Sequence, residues 1–175
     1  VTSTVTVDAG GLITADQQGF AGQQGPARGW GEFGGNGAGA SNQTAYIDEK
    51  VAAFGADLNT LLTGIRARAA SARIVLINLP NLGALPYLAN ASLAQKQAAQ
   101  RASVRMTTTA INSQTGVTVI DLMCDPRVYQ SNFFSSDGFH PNDNGYSILG
   151  AEVARAVTTS SYPAPRSSCS QMTLF

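Results

Sequence analysis

Two short aliphatic runs constrain the fold of this chain more than any other feature of its 175 residues. ARIVLINLP, residues 72 to 80, and VTVIDL, residues 117 to 122, are rich in β-branched and aliphatic side chains. Continuous runs of this length are typical of strands that are buried on both faces of a parallel sheet. Even the most apolar stretch, residues 74 to 79, contains Asn78 and is far too short to span a bilayer.

Helical patterns lie before, between and after these two runs. Apolar residues recur at steps of three and four from Tyr46 onward, and a weaker pattern spans about 91 to 112. A last helix follows Asn142 or Asp143, either of which can cap its first turn. The residues predicted to face inward are Ile47, Val51, Phe54, Leu58, Leu61, Leu62 and Ile65, then Leu93, Ala98, Val104 and Ile111, then Tyr146, Leu149, Val153 and Val157.

The order of these elements predicts a single α/β domain over residues 1–175. TVTVDAGG, residues 4 to 11, alternates and then reaches two glycines, which indicates a further short strand. Strands and helices that alternate along the chain imply right-handed crossovers and a parallel sheet covered by helices on both faces. Residues 12 to 45 are rich in Gly and Gln with little apolar periodicity, and they predict a long loop.

One glycine motif in that loop resembles a nucleotide-binding signature only superficially. GWGEFG, residues 29 to 34, has the spacing of a dinucleotide fingerprint, but it follows no convincing strand and opens no clear helix. A dinucleotide cofactor is therefore not expected. Trp30 and Phe33 are expected to pack the loop or to form an apolar wall over a substrate cleft.

The charge pattern bears on the kind of partner. The chain has 11 basic and 11 acidic side chains, and its formal net charge is zero. The basic residues form no run or stripe, so neither nucleic acid nor an anionic membrane surface is expected as the main partner. With one histidine and two distant cysteines, the chain also lacks the usual ligand sets for zinc.

The two cysteines, Cys124 and Cys169, are expected to pair, with two buried free thiols as the alternative. An even cysteine count, few lysines and a composition rich in Ser, Thr and Gly favour an oxidising, secreted setting. A bridge that closes so long a loop is worth roughly 3 to 4 kcal/mol in the chain-entropy model.

The single histidine lies in SSDGFHPNDNGY, residues 135 to 146, between the second aliphatic run and the last helix. In open parallel sheets, reactive groups gather outside the carboxyl ends of the strands, and this stretch is expected there. His140 can take and return a proton near neutral pH, and Asp137 can hold its tautomer and stabilise the imidazolium. The alternative is a surface-loop histidine beside a helix cap.

DGFHP, followed by NDNGY and an apolar helix, resembles the last conserved block of the SGNH (GDSL-type) hydrolases, esterases and lipases. RIVLINLPNLGALP is similar to the fourth strand and following loop of secreted bacterial members, and VTVIDLMCDPRVY to their fifth strand. The resemblance covers roughly residues 46 to 172. It implies a flavodoxin-like α/β/α sandwich, catalytic roles for Asp137 and His140, an ester substrate and no cofactor.

The same family carries a nucleophilic serine in a Gly-Asp-Ser-Leu-like block, and this sequence contains no such block. Ser135 and Ser136 are too close along the backbone to face His140 productively. The resemblance places the start of the chain near the family's third strand, which would leave residues 4 to 10 as a bare sheet edge. Strands one and two, roughly 50 to 80 residues, and the serine are therefore expected outside this chain, for example on a separate N-terminal fragment.

The family's oxyanion asparagine follows its third strand, and two alignments compete for its position. Placing VTVDAGG on that strand puts Leu12 where the asparagine belongs. Using GGNG, residues 34 to 37, makes Asn36 the amide donor and puts Gly37 in place of an aspartate. Asn36 is the favoured oxyanion candidate, and a loop asparagine without a role is the alternative.

The expected function is hydrolysis of a carboxylic ester by a Ser-His-Asp triad. A lipid, a short-chain ester or an acetylated sugar would each fit, and the loop at 12 to 45 is where selection among them is expected. The rival expectation is a non-enzymatic binding module, a degenerate hydrolase domain that has lost its nucleophile.

Overall fold

The computed structural model describes residues 43–175, and these form a mixed α/β arrangement. The predicted strand at 4 to 11, Asn36 and most of the predicted loop lie outside the described residues. The last three residues assigned to that loop, 43 to 45, are helical instead. The helices and strands are α1 (Gln43–Arg68), β1 (Val75–Ile77), α2 (Leu93–Arg105), β2 (Thr118–Ile120) and α3 (Asp143–Thr158).

The two strands pair in parallel, as predicted. Val75 lies opposite Thr118, Leu76 opposite Val119 and Ile77 opposite Ile120. The helix between them, α2, begins with a capping box in which Ser92 and Gln95 exchange side chain-to-backbone hydrogen bonds. It continues into a π-helical turn, Met106–Ile111, before the chain returns to β2. Each strand is shorter than its aliphatic run at both ends.

Helices cover both faces of this sheet. Successive side chains of a strand point to opposite faces. On one face, Leu76 and Val119 pack with Leu58 and Leu62 of α1. On the other face, Ile120 packs with α3, where Ala156 is completely buried. The described residues therefore build the three layers of an α/β/α sandwich, as predicted, around a small parallel sheet.

The rotation of α3 differs from the prediction. Asn142 caps the helix by accepting a hydrogen bond from Gly145 N–H, as expected. However, Tyr146, Val153 and Val157 are exposed, and the buried positions are Gly145, Glu152 and Ala156. A Cβ at position 145 would lie 2.4 Å from the carbonyl oxygen of Phe133. The close contact between Gly145 and Phe133 fixes which face of α3 turns inward. The spacing of apolar residues does not reveal this orientation.

The inward face of α1 was predicted partly correctly. Ile47, Val51, Leu58 and Leu62 are buried, whereas Phe54 and Leu61 are exposed. In the strand β1, which was predicted to be buried on both faces, Ile77 is also exposed. The described residues thus leave part of the apolar surface of α1 and of β1 exposed.

Glu152 of α3 is a nearly buried carboxylate that joins three segments. Its Oε1 accepts a hydrogen bond from Arg127 at 2.8 Å. Its Oε2 accepts from Arg155 at 2.7 Å and from the Tyr162 hydroxyl at 2.8 Å. Partial burial raises the pKa of Glu152, but the hydrogen bonds from Arg127, Tyr162 and Arg155 outweigh it, so the pKa is lowered overall.

Glu152→Gln should therefore destabilise the protein in a pH-dependent way. A carboxyl whose pKa is lowered by folding stabilises the native state fully above its unfolded pKa, here 4.5, and loses that contribution as pH falls further. We expect the variant to lose about 1–3 kcal/mol of unfolding free energy at pH 7. This difference from the wild type should become smaller below about pH 4.5. Urea unfolding at several pH values measures it, with the exposed Glu49→Gln as control. A loss that stays constant down to pH 3 would contradict this account.

The cysteines are bonded to each other, as predicted. Cys124 follows β2, Cys169 lies in the C-terminal tail, and their Cα atoms are 5.7 Å apart. The bridge packs among Met123 and Met172, which are buried. By closing a loop with a sequence separation of 45 residues, it is worth about 4 kcal/mol in the chain-entropy model. The tail is thereby tied to the carboxyl end of the sheet.

Candidate functional site

A buried polar network joins the carboxyl ends of the two strands. Asn78 directly follows β1 and is 1 % exposed. Its Nδ2 donates to Asn112 at 3.1 Å and to Asp121, which follows β2, at 3.0 Å. Its Oδ1 accepts from the backbone N–H groups of Leu122 and Met123 at 2.7 and 3.0 Å. The side-chain amide of Asn78 thus links the carboxyl end of β1 to the residues that follow β2.

A second buried asparagine, Asn81, continues this network. Its backbone N–H donates to the Tyr129 hydroxyl at 2.7 Å, and that hydroxyl donates to the Met123 carbonyl at 2.8 Å. Burial raises the pKa of Tyr129 to about 12, although the Asn81 hydrogen bond opposes the shift. Tyr129 therefore keeps its proton at neutral pH, as its donation to Met123 requires.

Asp137 and His140 lie together in the loop before α3. The Nδ1 atom of His140 is 2.6 Å from Oδ2 of Asp137. The other carboxylate oxygen accepts from the backbone N–H groups of Phe139 and His140 at 2.9 and 3.0 Å. The hydrogen bond from the His140 side chain, followed by those from the two backbone groups, lowers the pKa of Asp137 to about 2.

The loop that carries this pair is closed on itself. The backbone N–H of Ser135 donates to the His140 carbonyl at 2.8 Å, and Phe134 pairs with Pro141 in an antiparallel bridge. The Ser135 hydroxyl is directed at the carbonyls of His140 and Pro141, at 2.9 and 3.0 Å. It is therefore engaged with the backbone and not with the imidazole.

The same loop is docked onto the segment that follows β1. Tyr87 N–H donates to the Gly138 carbonyl at 3.0 Å. Gly138 has a φ of +69°, and a Cβ there would lie 2.7 Å from Tyr87 N and 3.0 Å from Pro86 Cβ. Only glycine fits this left-handed, closely packed position. The contact holds the Asp137–His140 loop at the carboxyl side of the sheet.

This arrangement leaves one imidazole nitrogen free for chemistry. An ionised carboxylate is only an acceptor, so in the neutral imidazole Nδ1 carries the proton and Nε2 has the free lone pair. The His140 side chain is 65 % exposed, and among residues 43–175 its Nε2 has no hydrogen-bond partner. An imidazole held in this way can accept a proton from a hydroxyl and later return it.

The Asp137 pKa offers a direct check on this geometry. In a ¹³C NMR titration, the Asp137 carboxyl should titrate near pH 2, because the His140 side chain and two backbone N–H groups stabilise its charge. In His140→Ala the pKa of Asp137 should rise but stay below the ordinary aspartate value of 3.8, since both backbone donors remain. An unchanged pKa in the variant would mean that the two side chains do not interact in solution.

The structure brings together only some of the residues singled out from the sequence. Asp137 and His140 are in contact, and Cys124 and Cys169 are bonded to each other, whereas Asn36 lies outside the described residues. Sequence reasoning did not identify Asn78 and Asn81 as the centres of the buried hydrogen-bond network. A sequence signal existed for Asn78, since this polar residue interrupts an otherwise aliphatic run.

Two further observations concern metals and membranes. Within residues 43–175, no group of three or more potential metal-ligating side chains is placed to hold an ion. In the same part of the chain, no helix combines the length and the apolar character needed to cross a bilayer.

Comparison with known proteins identifies the family. The model of the GDSL-like lipase/acylhydrolase family matches residues 14–148, which include the Asp137–His140 loop. Searches of curated proteins and of solved structures gave no significant match. The family match covers most of the chain, the helices and parallel strands agree with it, and we conclude that the chain belongs to the GDSL-like lipase/acylhydrolase family.

Proposed function

We propose that this protein is a serine hydrolase of carboxylic esters in which His140 is the general base and Asp137 orients it. The observation that carries the proposal is the 2.6 Å contact between His140 Nδ1 and Asp137, with the opposite edge of the ring open to solvent. Membership of an acylhydrolase family supports ester chemistry for such a pair.

In the proposed mechanism, a seryl hydroxyl attacks the ester carbonyl while His140 Nε2 takes its proton. His140 then returns the proton to the departing alcohol, which leaves an acyl-serine. A water molecule, which gives a proton to His140, then attacks the acyl carbon; the bond to the serine oxygen breaks, the acid leaves, and His140 returns the proton to the serine. Asp137 keeps the imidazole in the required tautomer throughout. No cofactor takes part in these steps.

We place the nucleophilic serine outside this chain. The sequence contains no Gly-Asp-Ser block, and the Ser135 hydroxyl is engaged with the carbonyls of its own loop. Both observations favour a serine supplied by another segment, such as an N-terminal fragment that associates with this chain. Asn36 is the proposed oxyanion donor, and removing such a donor typically costs about 3–4 kcal/mol in transition-state binding.

The substrate is proposed to be a small-molecule ester: a lipid, a short-chain ester or an acetylated sugar. The Cys124–Cys169 bridge supports a secreted protein, because disulfides persist in oxidising compartments. The same lack of a Gly-Asp-Ser block favours a second candidate, a degenerate family member that binds its ligand without cleaving it.

Purification and assay separate the two candidates. Intact mass and N-terminal sequencing of the purified protein should reveal a second polypeptide with a Gly-Asp-Ser sequence, and the assembly should hydrolyse acetate esters faster than buffer. A preparation that contains only this chain, and that binds esters without hydrolysing any of them, would establish the binding module instead.

A further inference from the structure

Two exposed aromatic rings stand beside the Asp137–His140 pair. Tyr87 lies on the turn Pro86–Leu88 and is 65 % exposed, and Phe139, next to His140, is 40 % exposed. Their ring centroids are 5.8 Å apart in an edge-on arrangement. Phe139 in turn stands edge-on to the His140 ring, with centroids 5.1 Å apart. We call Tyr87 and Phe139 the aromatic shelf.

Backbone contacts hold together the two segments that carry the aromatic shelf. Tyr87 N–H donates a hydrogen bond to the Gly138 carbonyl. Gly138 has a left-handed conformation, and a side chain at this position would collide with Pro86 and Tyr87. The two segments that carry the rings are therefore fixed to each other next to the imidazole. Exposed apolar rings that are held rigidly beside a reactive group are typical of a ligand-binding surface.

The position of the aromatic shelf indicates which part of an ester it contacts. In the proposed reaction the serine oxygen bonds to the acyl carbon, the bond from that carbon to the alcohol oxygen breaks, and His140 transfers the serine proton to that oxygen. The alcohol oxygen is therefore the substrate atom that must come within hydrogen-bond reach of the imidazole. Groups attached to that oxygen lie on the His140 side of the ester, and the aromatic shelf begins beside that ring, since the Phe139 and His140 centroids are 5.1 Å apart.

From this geometry we infer that the aromatic shelf binds the alcohol part of the ester and selects alcohols with a large apolar face. The inference rests on the proposed function. Edge-on and stacked contacts with Phe139 and Tyr87 would hold such an alcohol, whereas ethanol is too small to reach both rings.

The test compares two acetate esters on the assembled enzyme. The measured quantity is the ratio of kcat/KM for 2-phenylethyl acetate to that for ethyl acetate, which share an acyl group and have alcohols of similar acidity. In Tyr87→Ala and in Phe139→Ala this ratio should fall by about 10–100-fold, the usual range for a lost apolar contact. Phe54→Ala on α1, with an exposure of 36 % close to that of Phe139, should leave the ratio unchanged.

A second pair of substrates separates alcohol selection from acyl selection. The ratio for ethyl hexanoate against ethyl acetate should be the same in the wild type and in both shelf variants. Equal losses on both acetate esters would overturn the inference, since the rings would then only position His140; Phe139→Leu, which keeps apolar bulk, would restore the rates in that case. A wild-type enzyme that cleaves no ester would instead overturn the proposed function itself.

Discussion

Replacing His140 with alanine should lower kcat/KM for ester hydrolysis by about 10³-fold or more. The imidazole is the only one in the chain, and its free Nε2 is the proposed acceptor of the serine proton. Because the side chain is exposed, the variant should fold normally, with an unchanged far-ultraviolet circular dichroism spectrum. Initial rates with 2-phenylethyl acetate measure the loss, and full activity in a folded variant would remove His140 from the mechanism.

Asp137→Asn tests the second member of the pair. Its amide group can donate to His140 Nδ1, which would move the ring proton to Nε2 and leave no base facing the serine. The analogous change in a serine protease lowers kcat by about 10⁴-fold, and we expect a loss of roughly 10²–10⁴-fold here. Asp143→Asn, a change of an exposed carboxylate in the first turn of α3, is the matched control and should retain wild-type rates.

Asn78→Ala should produce the largest loss of stability, about 3–5 kcal/mol in unfolding free energy. The change removes the acceptor of two buried N–H groups, those of Leu122 and Met123, and the amide donor to Asp121. Each buried polar group left without a partner costs about 1–3 kcal/mol. Urea unfolding measures the change, and Asn90→Ala at an exposed turn position is the control. A loss below about 1 kcal/mol would show that the network does not hold the strand ends.

Asn78→Asp separates the acceptor role of the Asn78 side chain from its donor role. A carboxylate keeps the oxygen that accepts from Leu122 and Met123, but it replaces the amide donor with an oxygen facing Asp121 at about the present 3.0 Å. Repulsion between the two carboxylates should destabilise the protein at neutral pH, and protonation of either group should relieve it. The unfolding free energy of this variant relative to wild type should therefore recover as the pH is lowered toward 4.

Local patterns predicted the elements of the fold well. The aliphatic runs become parallel strands because only a sheet with both faces covered accommodates continuous apolar residues. The cap of α3 at Asn142 and the contact between Asp137 and His140 involve residues three positions apart, so the sequence alone indicates them. The disulfide was predictable because the chain has only two cysteines.

Contacts between distant residues were not predictable in the same way. Glu152 faces inward and accepts hydrogen bonds from Arg127 and Tyr162. The spacing of apolar residues in α3 does not predict these partners. The role of Asn78 depends on groups 34 to 45 positions away. Tyr87 lies beside the site through its hydrogen bond to Gly138 and its ring contact with Phe139, residues about 50 positions away in the sequence. Each of these features depends on how segments pack, which periodicity does not encode.

Labelling with a fluorophosphonate probe, followed by peptide mapping, tests the central proposal most directly. Such probes react with serines that an adjacent imidazole activates. We expect the probe to label one serine, on a segment outside this chain, and we expect His140→Ala to abolish the labelling while Asp143→Asn does not. Labelling of Ser135 or Ser136, or equal labelling in wild type and His140→Ala, would contradict the proposal that His140 activates a serine supplied by another segment.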